Sequence, residues 1–367
     1  MKTTTNAHPR SSRRKPTAID LFAGCGGLTE GLKQAGFRVI GAIEIDELAA
    51  RSYRMNHPRV RLWNSDIRDI RLSVLRRTLG LNPGDLDLLA GCPPCQGFSH
   101  IRTLNGSRDV RDRRNSLTDE FLRFVKGLRP RAIMLENVPG LANRRRFREF
   151  AMTLEHMGYT VKWDILDAAR YGVPQRRRRL ILLAAKSASI DFAPAEAAGT
   201  TVADAIAALE PPDSSGDPLH RLIGRRSERI SELIKLIPKD GGSRSDLPEE
   251  MWLECHKKCD GFKDVYGRMR WGDVAPTITG GCLNPSKGRF LHPDQDRALT
   301  VREAALLQGF RPDYRFATDR GMYAIAGMIG NALPPEFIRR HALQIAAVLK
   351  QNGVRTPRNA KNRSRKA

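Results

Sequence analysis

The sequence predicts an α/β fold with an open sheet, joined to a second, smaller and irregular domain. A short apolar run at 17–22 passes through a glycine turn into a helix-like pattern, which is how a nucleotide-binding α/β unit begins. Later apolar runs at 37–43, 86–90 and 131–135 indicate further buried strands. From about residue 200 to 297 the composition shifts to Pro, Gly, Ser and charge with little period, which indicates the second domain.

Length and composition are those of a globular protein. The chain has 367 residues, of which 40% are hydrophobic and 28% charged, as in soluble domains. No apolar run approaches the roughly 18 residues that a membrane span needs, and the polar, basic first residues do not form a secretory signal. Six cysteines without a regular framework favour a reducing cytoplasm and no structural disulfides.

The net charge of +23, with a pI near 10.4, is the strongest global signal. Residues 1–16 carry five basic residues and no acid, and residues 351–367 carry six and no acid, so the rest of the chain retains +12. Basic tails alone could be solubilising arms, but so basic a body favours a surface that meets nucleic acid. An acidic membrane is the weaker option, because no basic amphipathic helix with an aromatic face stands out.

The glycine turn at 23–27 predicts a site for a nucleoside. It has the pattern G-x-G-G rather than G-x-G-x-x-G, which weakens a pyrophosphate site and leaves room for an adenosine ligand without phosphates. Glu44 ends the second strand 20 residues after Gly24, the interval at which such folds place an acid on a ribose hydroxyl. A solvated helix start is an equal alternative for Glu44. Asp66, at another strand end, could accept from an exocyclic amine or be an ordinary turn aspartate.

The stretch from Gly91 to Ser99 predicts a reactive cysteine. Pro93 and Pro94 stiffen the chain after the buried strand, so Cys95 is held toward the crevice where ligands of open α/β sheets bind. Cys95 is therefore a candidate nucleophile. A redox pair with Cys92, or two small buried hydrophobes, are the alternatives, and Cys92 itself is assigned a structural role. The Arg-rich segment 101–114 is expected to be a mobile loop.

A carboxylate and several arginines should lie near that cysteine. Glu136 ends the strand at 131–135, and the arginines at 176–179 lead into the apolar strand at 177–185, which pairs with 159–168. Because side chains alternate along a strand, Arg177 and Arg179 should share one face. A phosphate or carboxylate partner explains these arginines better than a plain solvated patch.

The second half contains weaker signals. Residues 187–199 are predicted to be a linker. Cys255, His256 and Cys259 could bind zinc, but no second ligand pair has the usual spacing, so no metal site is expected. Thr300 and Glu303 predict a helix with a capping box, and an amphipathic helix is expected to end near Leu349.

Taken together, these motifs resemble those of the DNA (cytosine-5)-methyltransferases over roughly residues 17–190 and 270–350. The matching segments, in order, are 20–27, Glu44, 66–67, 93–99, 112–117, 136–138, 175–179, 297–310 and 330–335. Departures from the family pattern are Ser65, Met328 and the shifted proline in Arg311-Pro312, which concern packing or loop shape more than chemistry.

The resemblance implies a Rossmann-like, S-adenosylmethionine-dependent methyltransferase domain with a smaller irregular target-recognition domain. The expected divisions are a basic flexible arm at 1–16, a discontinuous catalytic domain at 17–190 plus about 321–350, a target-recognition domain at 191–320, and a basic flexible tail at 351–367. It also implies double-stranded DNA as partner, a monomer, and a cytoplasmic, nucleoid-associated location. Both a cognate restriction endonuclease that acts separately and a solitary enzyme are compatible with the sequence.

Residue roles follow from the resemblance. Phe22 would stack on the adenine of S-adenosylmethionine, Glu44 would bind its ribose and Asp66 its adenine amine. The full implied cofactor set is Phe22, Gly24, Gly26, Gly27, Glu44, Ile45, Asp66, Ile67, Pro94, Leu117, Asn331 and Ala332. The implied catalytic residues are Cys95, Glu136, Arg177 and Arg179, and the implied substrate contacts are Gln96, Ser99, Asn137, Val138 and Gln175.

The implied chemistry fits these residue types. A Cys95 thiolate adding to C6 of cytosine makes C5 able to take a methyl group, while Glu136 meets the charge at N3 of a base flipped out of the duplex. A tRNA cytosine methyltransferase is the nearest rival, but Gly97-Phe98-Ser99 and the absence of Cys-Phe-Thr favour DNA. A non-catalytic nucleic-acid-binding protein would not need the nucleophile, carboxylate and cofactor turn together. The recognised DNA sequence is not predicted.

Overall fold

A computed structural model describes residues 14–94, 117–186, 188–196, 199–257 and 264–351. Within these residues, seven strands form one sheet in the order β3-β2-β1-β4-β5-β7-β6. The strands are β1 (Thr17–Leu21), β2 (Arg38–Glu44), β3 (Arg61–Asn64), β4 (Leu88–Gly91), β5 (Ala132–Asn137), β6 (Thr160–Asp167) and β7 (Arg178–Ala185). The predicted α/β fold is confirmed, and the expected strands agree with these within a few residues.

The sheet is parallel except at one end. β1 pairs in parallel with β2 and β4, and β4 with β5, whereas β7 lies antiparallel between β5 and β6. Strand order reverses at β1, so the crevice beyond the carboxyl ends of β1 and β4 is a topological switch point, where such sheets bind ligands. Both central strands are buried along their whole length because helices cover the two faces.

Helices surround this sheet and continue into the second half of the chain. They are α1 (Gly27–Gln34), α2 (Glu47–Asn56), α3 (Leu72–Leu79), α4 (Leu117–Leu128), α5 (Arg145–His156), α6 (Val202–Ile206), α7 (Glu228–Leu236), α8 (Glu254–Lys257), α9 (Val301–Leu307), α10 (Gly321–Asn331) and α11 (Pro335–Gln351). The capping box predicted for α9 is confirmed, because Thr300 and Glu303 exchange hydrogen bonds. None of the described helices is both long and apolar enough to cross a bilayer.

The beginning and the end of the described chain pack together. A Cβ on Gly27 would lie 2.3 Å from the carbonyl oxygen of Leu333, and one on Gly31 would lie 2.4 Å from that of Pro335. α1 therefore contacts the start of α11 at backbone distance, which only glycine permits. Buried side chains of α11, including Phe337 and Ile345, complete the core on this face of the sheet.

The irregular region has a small core of its own. Ile234, Ile237, Tyr266 and Leu291 pack together with neighbouring apolar residues, and the fully buried Arg268 lies among them. Its guanidinium donates to the carbonyl oxygens of Ile234, Ile237, His292 and Gln295 and to the carboxylate of Asp296. In this irregular region, one arginine side chain therefore bonds four backbone carbonyl oxygens that regular secondary structure would otherwise pair.

Candidate active site

Glu136 lies at the carboxyl end of β5 and is only 2% exposed. Its Oε1 is 2.8 Å from Nε of Arg179 on the neighbouring strand β7. Its Oε2 accepts a hydrogen bond of 2.6 Å from the thiol of Cys92, which follows β4. The structure thus brings together the predicted pair Glu136 and Arg179, and adds Cys92, whose contact with the carboxylate the sequence did not reveal.

The Cys92 thiol is a protonated donor in this arrangement. The residue keeps partial exposure, but its sulfur atom is enclosed. This burial and the negative charge of Glu136 raise the pKa of Cys92 well above its ordinary value, and the nearby Arg179 and Arg177 offset them only in part. A thiol with a raised pKa is a poor nucleophile, so Cys92 does not compete for that role.

Arg177 is almost completely buried and holds backbone rather than a carboxylate. It donates to the carbonyl oxygen of Ile278 at 3.0 Å, of Gly330 at 2.9 Å and of Ala332 at 3.2 Å. Burial, followed by the positive charge of Arg179, lowers the pKa of Arg177 to about 9. The guanidinium is still charged at neutral pH, and it joins the site to two distant parts of the chain.

Arg177 and Arg179 were predicted to share one face. Both lie close enough to Cys92 for their charges to lower the pKa of its thiol, while Arg178 between them is exposed. The partner expected for these arginines was a phosphate or a carboxylate. For Arg179 it is a carboxylate of the protein itself, Glu136.

Of two amide side chains in the predicted site, one braces the segment that leads to Cys95 and the other joins distant segments. Asn137 donates to the carbonyl oxygen of Pro93 at 2.8 Å and accepts from the N–H of Val138 at 2.8 Å. Gln175 is fully buried, donates to Leu307 and Gln308, and accepts from the N–H of Ile278. Both amides are occupied by the protein, so a direct substrate contact for Asn137, Val138 or Gln175 stays a prediction.

The glycine turn and Glu44 are in direct contact. The carboxylate of Glu44 accepts from the N–H of Gly24 at 2.7 Å and from that of Asp46 at 2.8 Å. Burial raises the pKa of Glu44, and these two hydrogen bonds oppose the increase. Gly24 has a φ of 56°, and a Cβ there would meet nothing within 4 Å, so open space lies above the turn.

Apolar side chains border this space. Ile45 is 64% exposed, an unusual value for a large aliphatic residue beside the buried Glu44. Phe22, which follows β1, has a φ of 62°, a left-handed conformation that bulky residues rarely adopt. Such backbone strain concentrates at functional sites. An exposed aliphatic side chain and a half-buried ring beside a glycine turn suit the two faces of an adenine.

The other predicted cofactor residues are arranged around the same edge. Asp66 caps the short helical turn that contains Ile67, and its carboxylate is paired with Arg68. The bond with Arg68 lowers the pKa of Asp66, so this group is an ionised acceptor. Leu117, Gly26, Gly27 and Ala332 are buried, Pro94 is partly buried, and Asn331 ends α10 with its side chain exposed.

Beneath the glycine turn lies a buried polar network that the sequence analysis did not predict. Asp20, fully buried in β1, accepts from the hydroxyl of Thr29, which also contacts the Tyr53 hydroxyl. Burial raises the pKa of Asp20 to about 7, with Glu44 adding to the increase. The polar residues at 20, 29 and 53 are the only sequence signal, because an acid within an apolar strand needs a partner.

A histidine supports the turn from the other side. His57 lies 3.1 Å from the Tyr314 hydroxyl and 3.3 Å from the carbonyl oxygen of Gly26. Burial, followed by the charge of Lys33, lowers the pKa of His57 to about 3, so its ring is neutral. Tyr314 also donates to the carbonyl oxygen of Cys25 at 2.7 Å. The turn is therefore held by side chains from the end of α2 and from the segment after α9.

Some predicted residues lie outside the described part of the chain. These are Cys95, Gln96, Ser99, the loop at 101–114, and Cys259 of the possible zinc set. Within the described residues no group of three or more His, Cys, Asp or Glu side chains is placed to hold a metal ion.

The switch-point crevice and the glycine turn with its acid belong to a Rossmann-like α/β sheet, a class of fold in which ligands bind at this edge. The chain belongs to the C-5 cytosine-specific DNA methylase family, whose model matches residues 17–347. It is accordingly a DNA (cytosine-5)-methyltransferase, and the family implies S-adenosylmethionine as methyl donor.

Named relatives support this assignment over most of their length. The chain is 37% identical over 332 residues to the Type II methylase M.HgiDII of Herpetosiphon aurantiacus, covering 86% of this chain and 91% of the relative. It is 32% identical over 375 residues to the Type II methyltransferase M.XorII of Xanthomonas oryzae, covering 92% and 86%.

Solved structures show the same fold. The Entamoeba histolytica methyltransferase EhMeth superposes with a TM-score of 0.64 at 16% identity, covering 92% of this chain and 99% of its own. A Spodoptera frugiperda DNMT2 variant gives 0.60 at 17% identity, covering 91% and 98%. At such low identity the likeness concerns the fold alone.

Proposed function

We propose that this methyltransferase acts through a covalent bond between Cys95 and C6 of a cytosine flipped out of double-stranded DNA, with Glu136 as the group that meets N3. The observation that carries this proposal is the buried Glu136 carboxylate, held by Arg179 and Cys92 at the carboxyl end of β5. It lies beside the segment after β4 that leads directly to Cys95.

The chemistry needs each of these groups. Addition of a thiolate to C6 breaks the aromaticity of the ring and makes C5 nucleophilic, while negative charge develops toward N3. A carboxyl group held in a water-poor site stabilises that charge. Oε1 of Glu136 is buried and forms an ion pair with Nε of Arg179 at 2.8 Å that is not aligned as a hydrogen bond. Arg179 would thus hold this oxygen by charge and leave it able to bond a base.

The described cofactor residues fit S-adenosylmethionine. When bound, this cofactor supplies an electrophilic methyl group on a sulfonium. The open space above Gly24 would admit its body, Glu44 would accept from the ribose hydroxyls, and Phe22 and Ile45 would enclose the adenine. Asp66 would accept from the adenine amine in place of the partly exposed Arg68, which bonds both oxygens of this carboxylate in the structure described here.

The domain arrangement is part of the same proposal. Residues 17–190 and about 321–350 would form the catalytic domain, and 191–320 the target-recognition domain, with basic arms at 1–16 and 351–367. The small core around Arg268 supports an independent recognition region. A larger cluster extends from Val202 to Ala332 and includes Cys25, so the two regions share apolar contacts.

Biological context completes the proposal. The enzyme would act as a monomer on nucleoid DNA in the cytoplasm, with a separately acting restriction endonuclease of matching specificity. The charge of +23 supports binding to DNA. The Type II names of the relatives support the link to restriction.

Bisulfite sequencing of plasmid DNA from cells that express the chain tests the proposal. We expect protected cytosines in one sequence context, and complete loss of protection with Cys95→Ser because serine is a far weaker nucleophile. The variant should still bind DNA and S-adenosylmethionine, which shows that it is folded. Methylation by Cys95→Ser would refute the covalent route.

A further inference from the structure

We infer that Cys92 is a positioning residue for methyl transfer, which fixes the Glu136 carboxylate through its thiol. The inference rests on the proposed role of Glu136 and extends it. The Cys92 sulfur lies 2.6 Å from Oε2 of Glu136, whereas the 2.8 Å contact with Arg179 is made by the other carboxylate oxygen, Oε1. A hydrogen bond and an ion pair from different segments thereby set the orientation of one carboxylate.

The backbone around Cys92 is fixed on both sides. Its N–H donates to the carbonyl oxygen of Leu21 at the end of β1. The carbonyl oxygen of the next residue, Pro93, is held by Asn137, the neighbour of Glu136. The thiol and the carboxylate therefore belong to two segments that are tied together one residue away, so their distance is set by the fold rather than by side-chain freedom.

The type of donor matters for the reaction. Among the described residues, the charged groups that act on Cys92 and Glu136 are Arg179 on β7 and Arg177 just before it, and the thiol adds a donor without adding a third positive charge. A thiol is a weak, neutral donor, so it orients the carboxylate without further ion pairing.

The alternative is that Cys92 only fills space, since its side chain also packs against the core beneath β4. The two roles predict that different substitutions are tolerated at Cys92. A packing role is retained by alanine, which is apolar but has no donor, and is impaired by serine. A positioning role is retained by serine, which has a hydroxyl donor of similar size, and is impaired by alanine.

The experiment measures kcat and KM of the full chain for methyl transfer from S-adenosylmethionine to unmethylated plasmid DNA. Loss of one hydrogen bond corresponds to about a fivefold effect. We therefore expect Cys92→Ala to lower kcat about fivefold with KM for S-adenosylmethionine unchanged, and Cys92→Ser to stay within about twofold of the parent. Equal activity of Cys92→Ala and the parent, or a lower kcat for serine than for alanine, would overturn the inference.

Cys282 provides the matched control. It is also a buried cysteine, and burial raises its pKa to about 12, but it lies among apolar side chains. There we expect the reverse order, with Cys282→Ala tolerated and Cys282→Ser lowering the thermal unfolding midpoint. If Cys92→Ala were also tolerated and Cys92→Ser also lowered the thermal unfolding midpoint, Cys92 would be a packing residue.

The Glu136→Gln variant separates the inference from the proposed function. If this variant retains full kcat, the role of Glu136 in the reaction is wrong. If it loses activity while Cys92→Ala does not, only the role of Cys92 is wrong. In a double-mutant cycle of thermal unfolding, we expect Cys92→Ala to cost less in the Glu136→Gln background than in the parent, because the shared hydrogen bond is already altered. Additive losses would contradict the contact itself.

Discussion

Two buried arginines organise two regions of this molecule in different ways. Arg268 in the recognition region is fully buried, and all three of its guanidinium nitrogens have partners, including the Asp296 carboxylate. Arg177 beside the active site holds only carbonyl oxygens, its Nε has no hydrogen-bond partner among the described residues, and the nearest charged side chains include another arginine.

The difference separates a buried cation whose charge is well compensated from one whose charge is compensated poorly. A buried charge is tolerated when a counter-ion and hydrogen bonds replace its water, as at Arg268. At Arg177 the carboxylate of Glu136 is shared with Arg179, so burial is poorly compensated and lowers the pKa to about 9. Positive potential is thereby concentrated next to the group that is proposed to meet a developing negative charge.

Replacement of Arg268 should have the largest effect on stability. Arg268→Met removes the donor that four carbonyl oxygens share and one of the two cations that pair with Asp296. Buried acceptors left without a partner cost about 1–3 kcal/mol each, so the loss should be about 3–5 kcal/mol in all. We expect the free energy of unfolding, measured by urea denaturation, to fall by that amount. The exposed Arg270→Met is the control and should change it by less than about 0.5 kcal/mol. A small loss for Arg268→Met would mean that the irregular region does not depend on this side chain.

Replacement of Arg177 should affect activity more than stability. Arg177→Met frees three carbonyl oxygens but also removes a poorly compensated charge, so we expect a loss of about 1–3 kcal/mol. Methyl transfer at a temperature where the variant is folded should nevertheless fall at least about tenfold, the effect of losing about 1.4 kcal/mol of transition-state stabilisation.

The exposed neighbour Arg176→Met is the stability control for that variant. If Arg177→Met destabilised the fold as much as Arg268→Met and left kcat intact, the contrast between the two arginines would be wrong.

The smallest expected effect concerns pH. His292, whose carbonyl oxygen accepts from Arg268, has its pKa lowered to about 4 by burial. Since the unfolded chain takes up this proton near pH 6.5 and the folded chain does not, the free energy of unfolding should decrease as pH falls from about 6.5 to 4. His292→Asn should make this slope shallower, whereas the exposed His156→Asn should not. Equal slopes for both variants would mean that His292 titrates normally.

The fold was predictable because its signals are local. Apolar runs marked the strands, and the helix cap at Thr300 depends on residues three apart. The contact between Gly24 and Glu44 follows from a spacing of 20 residues, since adjacent parallel strands end at one edge. The position of β7 between β5 and β6 is not local, because an antiparallel strand can join a sheet at several places.

The missed residues share a different property. Cys92 and Glu136 are 44 positions apart, and their contact depends on the register between β4 and β5 to within one side chain. Arg268 lies in a charged, irregular stretch, where arginine normally indicates solvent exposure. Its partners at Ile234 and Gln295 are backbone carbonyl oxygens, which every residue has. Neither contact leaves a pattern in residue types.

The close contact of Gly27 with Leu333, and of Gly31 with Pro335, has a consequence for the order in which the protein is made. A ribosome releases α1 early, but the surface against which that helix packs is synthesised some 300 residues later. A nascent chain can form local helices and hairpins, yet the helix that follows the glycine turn stays uncovered until residues 333–335 have been synthesised. Capacity to methylate should therefore appear only after this segment has left the ribosome.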